Sequence, residues 1–186
     1  MVLLDGDDVL IGRQVFSLLN AVYQKEKIAL TYGQFLLVRN NQITSGFSRE
    51  IPYGYLQDGK FRQLRGFFTS HLKTMYVDVM RAIKESDLQY ANGTYYNYAS
   101  DVAYMTPAIE LVGTRLKFLK ELNYEYRFDT GANEPHQQQI VVEFQVYDKP
   151  ASKKMESMPF ADNPKTVHYP WWFDDRSESI SLIIFF

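Results

Sequence analysis

A chain of 186 residues that is 46% apolar and 23% charged has the composition of one globular domain, with or without an appendage, and can bury a sizeable core. Its 20 basic and 22 acidic residues give a formal net charge of −2, which leaves no cationic excess for a nucleic-acid partner. The absence of cysteine removes disulfides, thiolate catalysis and zinc–thiolate sites together and is compatible with a reducing, cytoplasmic setting, and no apolar run approaches the roughly 18 residues that span a bilayer.

The chain opens on Val2, Leu3 and Leu4, a short apolar run that predicts a buried strand of the parallel-sheet kind. Asp5, Asp7 and Asp8 follow in the loop at its carboxyl end, where open α/β sheets place their ligands. With only Gly6 between them, Asp5 and Asp7 can turn their oxygens toward one point. Two hard anionic ligands at one point suit Mg²⁺ or Mn²⁺, whose shells are completed by phosphate oxygens. The same four residues are also ordinary turn chemistry.

Val15, Phe16, Leu18, Leu19 and Val22 recur at helical spacing and predict an amphipathic helix over residues 12–25. Residues 28–38 predict a strand, and the polar residues 39–42 a hairpin turn. Residues 44–66 hold no period and predict an irregular connection, after which residues 67–74 lead into a helix ending near Ile83. Residues 84–98 are polar and rich in Tyr, as in a loop. Ser100 is a candidate N-cap for a helix carrying Asp101, Val102, Met105, Ile109 and Val112 and closed by Gly113. Pro107, inside that helix, should cost about 3 kcal/mol relative to Ala and kink it. Residues 118–127 predict a strand, 129–136 a polar turn, and 140–146 a last strand or helix. Residues 148–166 are linker-like. The elements together make a mixed α/β domain over residues 1–146, with residues 147–186 a linker and an aromatic and apolar tail. Residues 180–186 have the pattern of a strand without a gatekeeper, as expected for a piece of a longer protein.

The order of these pieces resembles a family. Asp5-Gly6-Asp7-Asp8 after an apolar strand is followed by Thr31-Tyr32-Gly33-Gln34-Phe35 and by Ser70-His71-Leu72-Lys73-Thr74. Ser100-Asp101-Val102-Ala103-Tyr104-Met105, Pro107, Glu110 and Gly113 come next. This succession is similar to the second half of a GT-A glycosyltransferase of family 2. The resemblance implies part of a GT-A, Rossmann-like mixed sheet flanked by helices, whose nucleotide-binding half would precede Met1. It implies a metal-dependent, inverting transfer of a sugar from a nucleotide-sugar donor to a glycan, lipid or protein acceptor. By resemblance, Asp5 and Asp7 hold Mn²⁺ or Mg²⁺ and, with Asp8, the sugar-nucleotide diphosphate. Asp101 is then the general base, His136 a further metal or diphosphate ligand, His71 a residue lining the acceptor cleft, and Glu110 its support on the same helix. The apolar residues 179–184 look similar to the first strand of a family member, as if a second module began there.

Two other readings are open. An apolar strand followed by Asp-x-Asp also opens phosphatases of the haloacid dehalogenase type, with Asp5 as nucleophile, Asp7 as acid/base and Asp174 and Asp175 as metal ligands. A non-catalytic scaffold of the same fold would put the 14 Tyr and 13 Phe to use in contacts, with Tyr169-Pro170-Trp171-Trp172-Phe173 as a docking segment.

Overall fold

A computed structural model describes residues 1–128 and 136–157. It is a mixed α/β architecture: one curled six-stranded sheet with helices against it. The strands are β1 (Val2–Leu3), β2 (Val9–Leu10), β3 (Leu30–Arg39), β4 (Gln42–Ser45), β5 (Ser70–Met75) and β6 (Leu116–Arg127). The helices are α1 (Val15–Lys25), α2 (Tyr53–Gln57), α3 (Val77–Ala82), α4 (Ser100–Val112) and α5 (His136–Asp148).

The sheet order is β1-β5-β3-β6-β2, with β4 hydrogen-bonded to β3 off this path. β3 runs parallel to β6, and every other pairing is antiparallel. The parallel setting expected for the first strand is therefore corrected: β1 pairs antiparallel with β5, Val2 opposite Thr74. An apolar run records burial but not strand direction. The ends of the sheet path, β1 and β2, are joined by residues 4–8 alone, and those fold into a turn in which the Asp8 N–H donates to the Asp5 carbonyl at 3.2 Å. So short a link between the two ends requires the sheet to curl upon itself.

Local chemistry explains most of the elements. β3 and β4 form a hairpin with Arg39 opposite Gln42, and Asn40 and Asn41 between them both take positive φ (50° and 58°), as a two-residue type I′ turn demands. The predicted run-in to a helix at residues 67–74 is instead mostly strand, because Ser70–Met75 lies between β1 and β3 with every side chain buried. Residues 44–66, expected to be irregular, include α2 and a 3₁₀ turn at Phe61–Leu64. Residues 140–146 belong to α5.

α4 is the central helix. Residues 102–112 are buried apart from Tyr104, so it is apolar nearly all round, as a helix surrounded by protein must be. Met105, Ala108, Ile109 and Val112 pack with Leu30 and Tyr32 of β3 and Val79 of α3. Val102 and Ala103 pack with Val142 and Val146 of α5. The cap lies one residue before the expected Ser100, at buried Ala99 in a left-handed conformation (φ 48°). On the opposite face of the sheet, Val15 and Leu19 of α1 cover Val2, Phe35, Leu72 and Leu119. Residues after α5 lie along α4, with the Met155 N–H donating to the Leu111 carbonyl at 2.9 Å.

Candidate functional site

The turn between β1 and β2 holds the acidic cluster against β5 and β6. Asp8 is fixed by two donors: the Tyr124 hydroxyl at 2.7 Å to Oδ2 and the Arg127 backbone N–H at 2.9 Å to Oδ1. The same Tyr124 hydroxyl accepts from the Asp5 N–H at 3.2 Å, so one buried ring ties both ends of the turn to β6. His71, on β5, lies with Nδ1 3.8 Å from Asp5 Oδ2. Its imidazole stacks on Tyr124 (centroids 4.6 Å apart, 8° between planes) and on Tyr126 (5.1 Å, 13°), while Phe35 meets it edge-on at 5.7 Å. Asp5, Asp8 and His71 each bring one possible ligand atom within 4.8 Å of the others.

Beside this cluster is an ion pair with a buried cation and a part-exposed carboxylate. The Lys73 ammonium, two residues along β5 from His71 and 3% exposed, lies 3.0 Å from Asp101 Oδ2 in the first turn of α4. Asp101 Oδ1 accepts from the Val102 N–H at 2.9 Å, which fixes the other carboxylate oxygen. The rings of Phe67 and Tyr104 flank the ammonium at 5.7 and 5.8 Å.

The electrostatics follow from this crowding. Burial raises the Asp5 carboxyl, an effect that Lys73 opposes and that Asp101 and Asp7 increase. Asp8 is pushed up to about 6, chiefly by burial, despite its two hydrogen bonds. Burial, aided by the nearby Lys73 charge, holds His71 well below its ordinary value, so it is a neutral imidazole near pH 7. Lys73 is the reverse case: burial opposes its charge most strongly, but Asp101, Tyr104 and Asp5 together outweigh burial and hold the amine above its usual range. Two carboxylates raised by burial and one neutral imidazole are groups that could hold a divalent cation, whose charge would offset the raised acids.

Of the residues expected from sequence, Asp5, Asp8, His71 and Asp101 are brought together. Asp7 is central in the turn and its charge reaches Asp5 and Asp8, but the three-residue group contains Asp8 in the place expected for Asp7. Glu110 is elsewhere. It lies nine residues after Asp101, and nine residues are about two and a half helical turns, which places the two on opposite sides of α4. Its carboxylate receives Arg62 Nε at 2.6 Å, Arg62 Nη2 at 2.9 Å and the Ser152 N–H at 2.8 Å, all in the interior. His136 is the first residue of α5, and its side chain lies outside the described residues, as do Asp174, Asp175 and the aromatic segment 169–173. Sequence reasoning passed over Lys73, Tyr124 and Tyr126. The signal for each was strand alternation: Lys73 shares period 2 with His71, and Tyr124 with Tyr126.

Comparison with protein-family models, curated proteins and solved structures found no match. No described helix is long and apolar enough to cross a membrane.

Proposed function

We propose that this chain carries the catalytic, acceptor-side half of a metal-dependent, inverting glycosyltransferase that moves a sugar from a nucleotide-sugar donor to an acceptor hydroxyl. The observation that carries this reading is the meeting of an Asp5–Asp8–His71 donor set with an ion-paired carboxylate, Asp101, at the head of a helix. The motif order described above supports it from the sequence side. In this reading Asp8 takes the ligand role that the motif alone gave to Asp7.

A divalent cation held by Asp5, Asp8 and His71 would offset the charge that develops on a departing nucleoside diphosphate. The rest falls to the chain's own groups. Asp101 accepts the proton of the acceptor hydroxyl as its oxygen bonds to the anomeric carbon and the electron pair of the broken glycosyl–phosphate bond leaves with the diphosphate. Lys73 and the Val102 N–H hold Asp101 in one orientation while it does so. Tyr124 holds Asp8, and the stacked Tyr124 and Tyr126 rings hold His71 in plane.

The test is Mn²⁺ binding followed by calorimetry, and thermal shift with Mn²⁺ plus UDP, GDP, CMP or dTDP. A ligand at 100 times its dissociation constant adds about 2.7 kcal/mol, which moves the midpoint of a domain this size by several degrees. A Mn²⁺-dependent shift that is lost in Asp8→Asn is the expected result. A folded chain that ignores Mn²⁺ and all four nucleotides overturns the reading and favours a scaffold.

A further inference from the structure

One edge of β6 is covered for only part of its length. β3 runs beside it from Leu116 to Arg127, but on the other side β2 reaches only Tyr124 and Glu125, and the Ile11 N–H extends that contact to the Asn123 carbonyl. Among the described residues no strand pairs with residues 116–122 on that side. The Arg115 carbonyl accepts from the Ala29 N–H just before β3, and backbone groups alternate along a strand, so those of Leu116 and Phe118 point to the open side.

This open edge is the floor of a groove of about 730 Å³. Residues 116–121 all line it, with Leu18 and Val22 of α1 on one face of the sheet and Ile51 and Leu56 on the other. A slot with apolar walls on both faces of a strand, and open N–H and C=O groups at its base, fits another strand, because a second backbone supplies acceptors and donors at the same spacing.

The residues of the edge indicate which strand. Set antiparallel about Leu119, residues 116–122 are complementary to themselves: Leu116 meets Leu122 of a second copy, and Lys117 meets its Glu121. Leu122 is 43% exposed, apolar surface that such a pairing covers. Lysine on an edge strand ordinarily keeps edges apart, but in this register it faces a carboxylate. Lys120 and Glu121 have no counterpart on β3, whose pairing passes from Gly33–Leu119 to Gln34–Leu122, so both stand exposed at the edge. Lys117 already meets Glu26 of its own chain, and the second copy adds another carboxylate beside it.

We propose that two copies of this chain pair through β6, antiparallel about a twofold axis at Leu119, so that their sheets become continuous. The pairing is independent of the transferase reading and needs neither metal nor nucleotide.

Sedimentation equilibrium of the full chain at about 100 μM is the test, since a dissociation constant on the order of 10 μM still leaves mostly dimer there. The expected mass is twice 21.8 kDa. Lys117→Glu alone and Glu121→Lys alone each place two like-charged pairs across the axis and should weaken the dimer by about tenfold. Mixing the two variants in equal amounts makes both pairs complementary again and should restore it as a heterodimer. Melting curves check that each variant is folded. Hydrogen exchange of the unsubstituted chain supplies a second readout: the Leu116 and Phe118 amides should gain protection as concentration rises. A parent mass of 21.8 kDa, a dimer indifferent to either substitution, a mixture that stays monomeric, or exchange at Leu116 and Phe118 that ignores concentration overturns the proposal.

Discussion

Replacing Glu110 with Ala separates a structural role from a functional one. In the folded chain this carboxylate takes two hydrogen bonds from Arg62 and one from the Ser152 N–H, with 2% of its side chain exposed. The Arg62 side chain is 8% exposed, and its other contacts are the Val146 carbonyl and Asp87 at 3.9 Å. Among the described residues, removing Glu110 leaves the buried guanidinium compensated only by the more distant Asp87. Breaking one partner of such a pair costs about 3–5 kcal/mol, and Asp87 sets the expectation at the lower end, about 3 kcal/mol. At about 2–4 °C per kcal/mol for a domain of this size, the midpoint should fall on the order of 10 °C. Urea unfolding gives the free energy directly, and Mn²⁺ binding at a temperature where the variant is folded should equal that of the parent. The pair Arg62→Met with Glu110→Leu should recover only part of the loss, since it removes both charges of the ion pair but takes the cation from Asp87 and the acceptor from the Ser152 N–H. A loss below about 1 kcal/mol, or loss of Mn²⁺ binding from a folded variant, would refute the interior ion-pair account.

Asp8 gives a pH signature in the metal-free chain. Its carboxyl is raised to about 6 in the folded state, so the folded form binds its proton more tightly than the unfolded form does. The resulting penalty is full above pH 6 and is relieved as pH falls toward the unfolded value near 4. His71, lowered by burial, works the other way by losing stability as pH drops below 6.5. The comparison that isolates Asp8 is therefore with Asp8→Asn: urea midpoints of the two should converge on acidification between pH 6 and 4, and parallel curves would contradict the assignment. Ser48 is 4% exposed, and its Oγ has no hydrogen-bond partner among the described residues. Ser48→Ala should accordingly be neutral or stabilising by about 1 kcal/mol, whereas a loss of that size in thermal unfolding would reveal a partner for the hydroxyl.

Periodicity and turn chemistry carried α1, α4 and the hairpin because their cause is local. The 15, 16, 18, 19, 22 spacing makes α1, and two asparagines at the one place where both residues need positive φ make the β3–β4 turn. The meeting of Asp5, His71 and Asp101 was legible only through motif order, since nothing local links a residue near the amino end to one on α4. What stayed hidden depended on direction and depth. Val2 and Leu3 are apolar whether their partner strand runs parallel or antiparallel. Lys73 gave no sign of burial, because its charge is balanced by Asp101, 28 positions away. Glu110 shares a helix with Asp101, and spacing alone puts it on the far side; the motif order outweighed that arithmetic.

The curled sheet also has a consequence in time. β1 and β2 pair with β5 and with the far end of β6, so the acidic turn between them depends on partners up to 119 positions away, as in the Arg127 N–H bond to Asp8. Closing such long loops is slow and follows the assembly of more local structure. During synthesis the carboxylates at positions 5–8 emerge well before Tyr124 and Arg127, and they cannot take up their positions until those residues have emerged too. The acidic turn is thus completed long after it is made, and a nascent chain stopped short of β6 has its acids but not the residues that hold them.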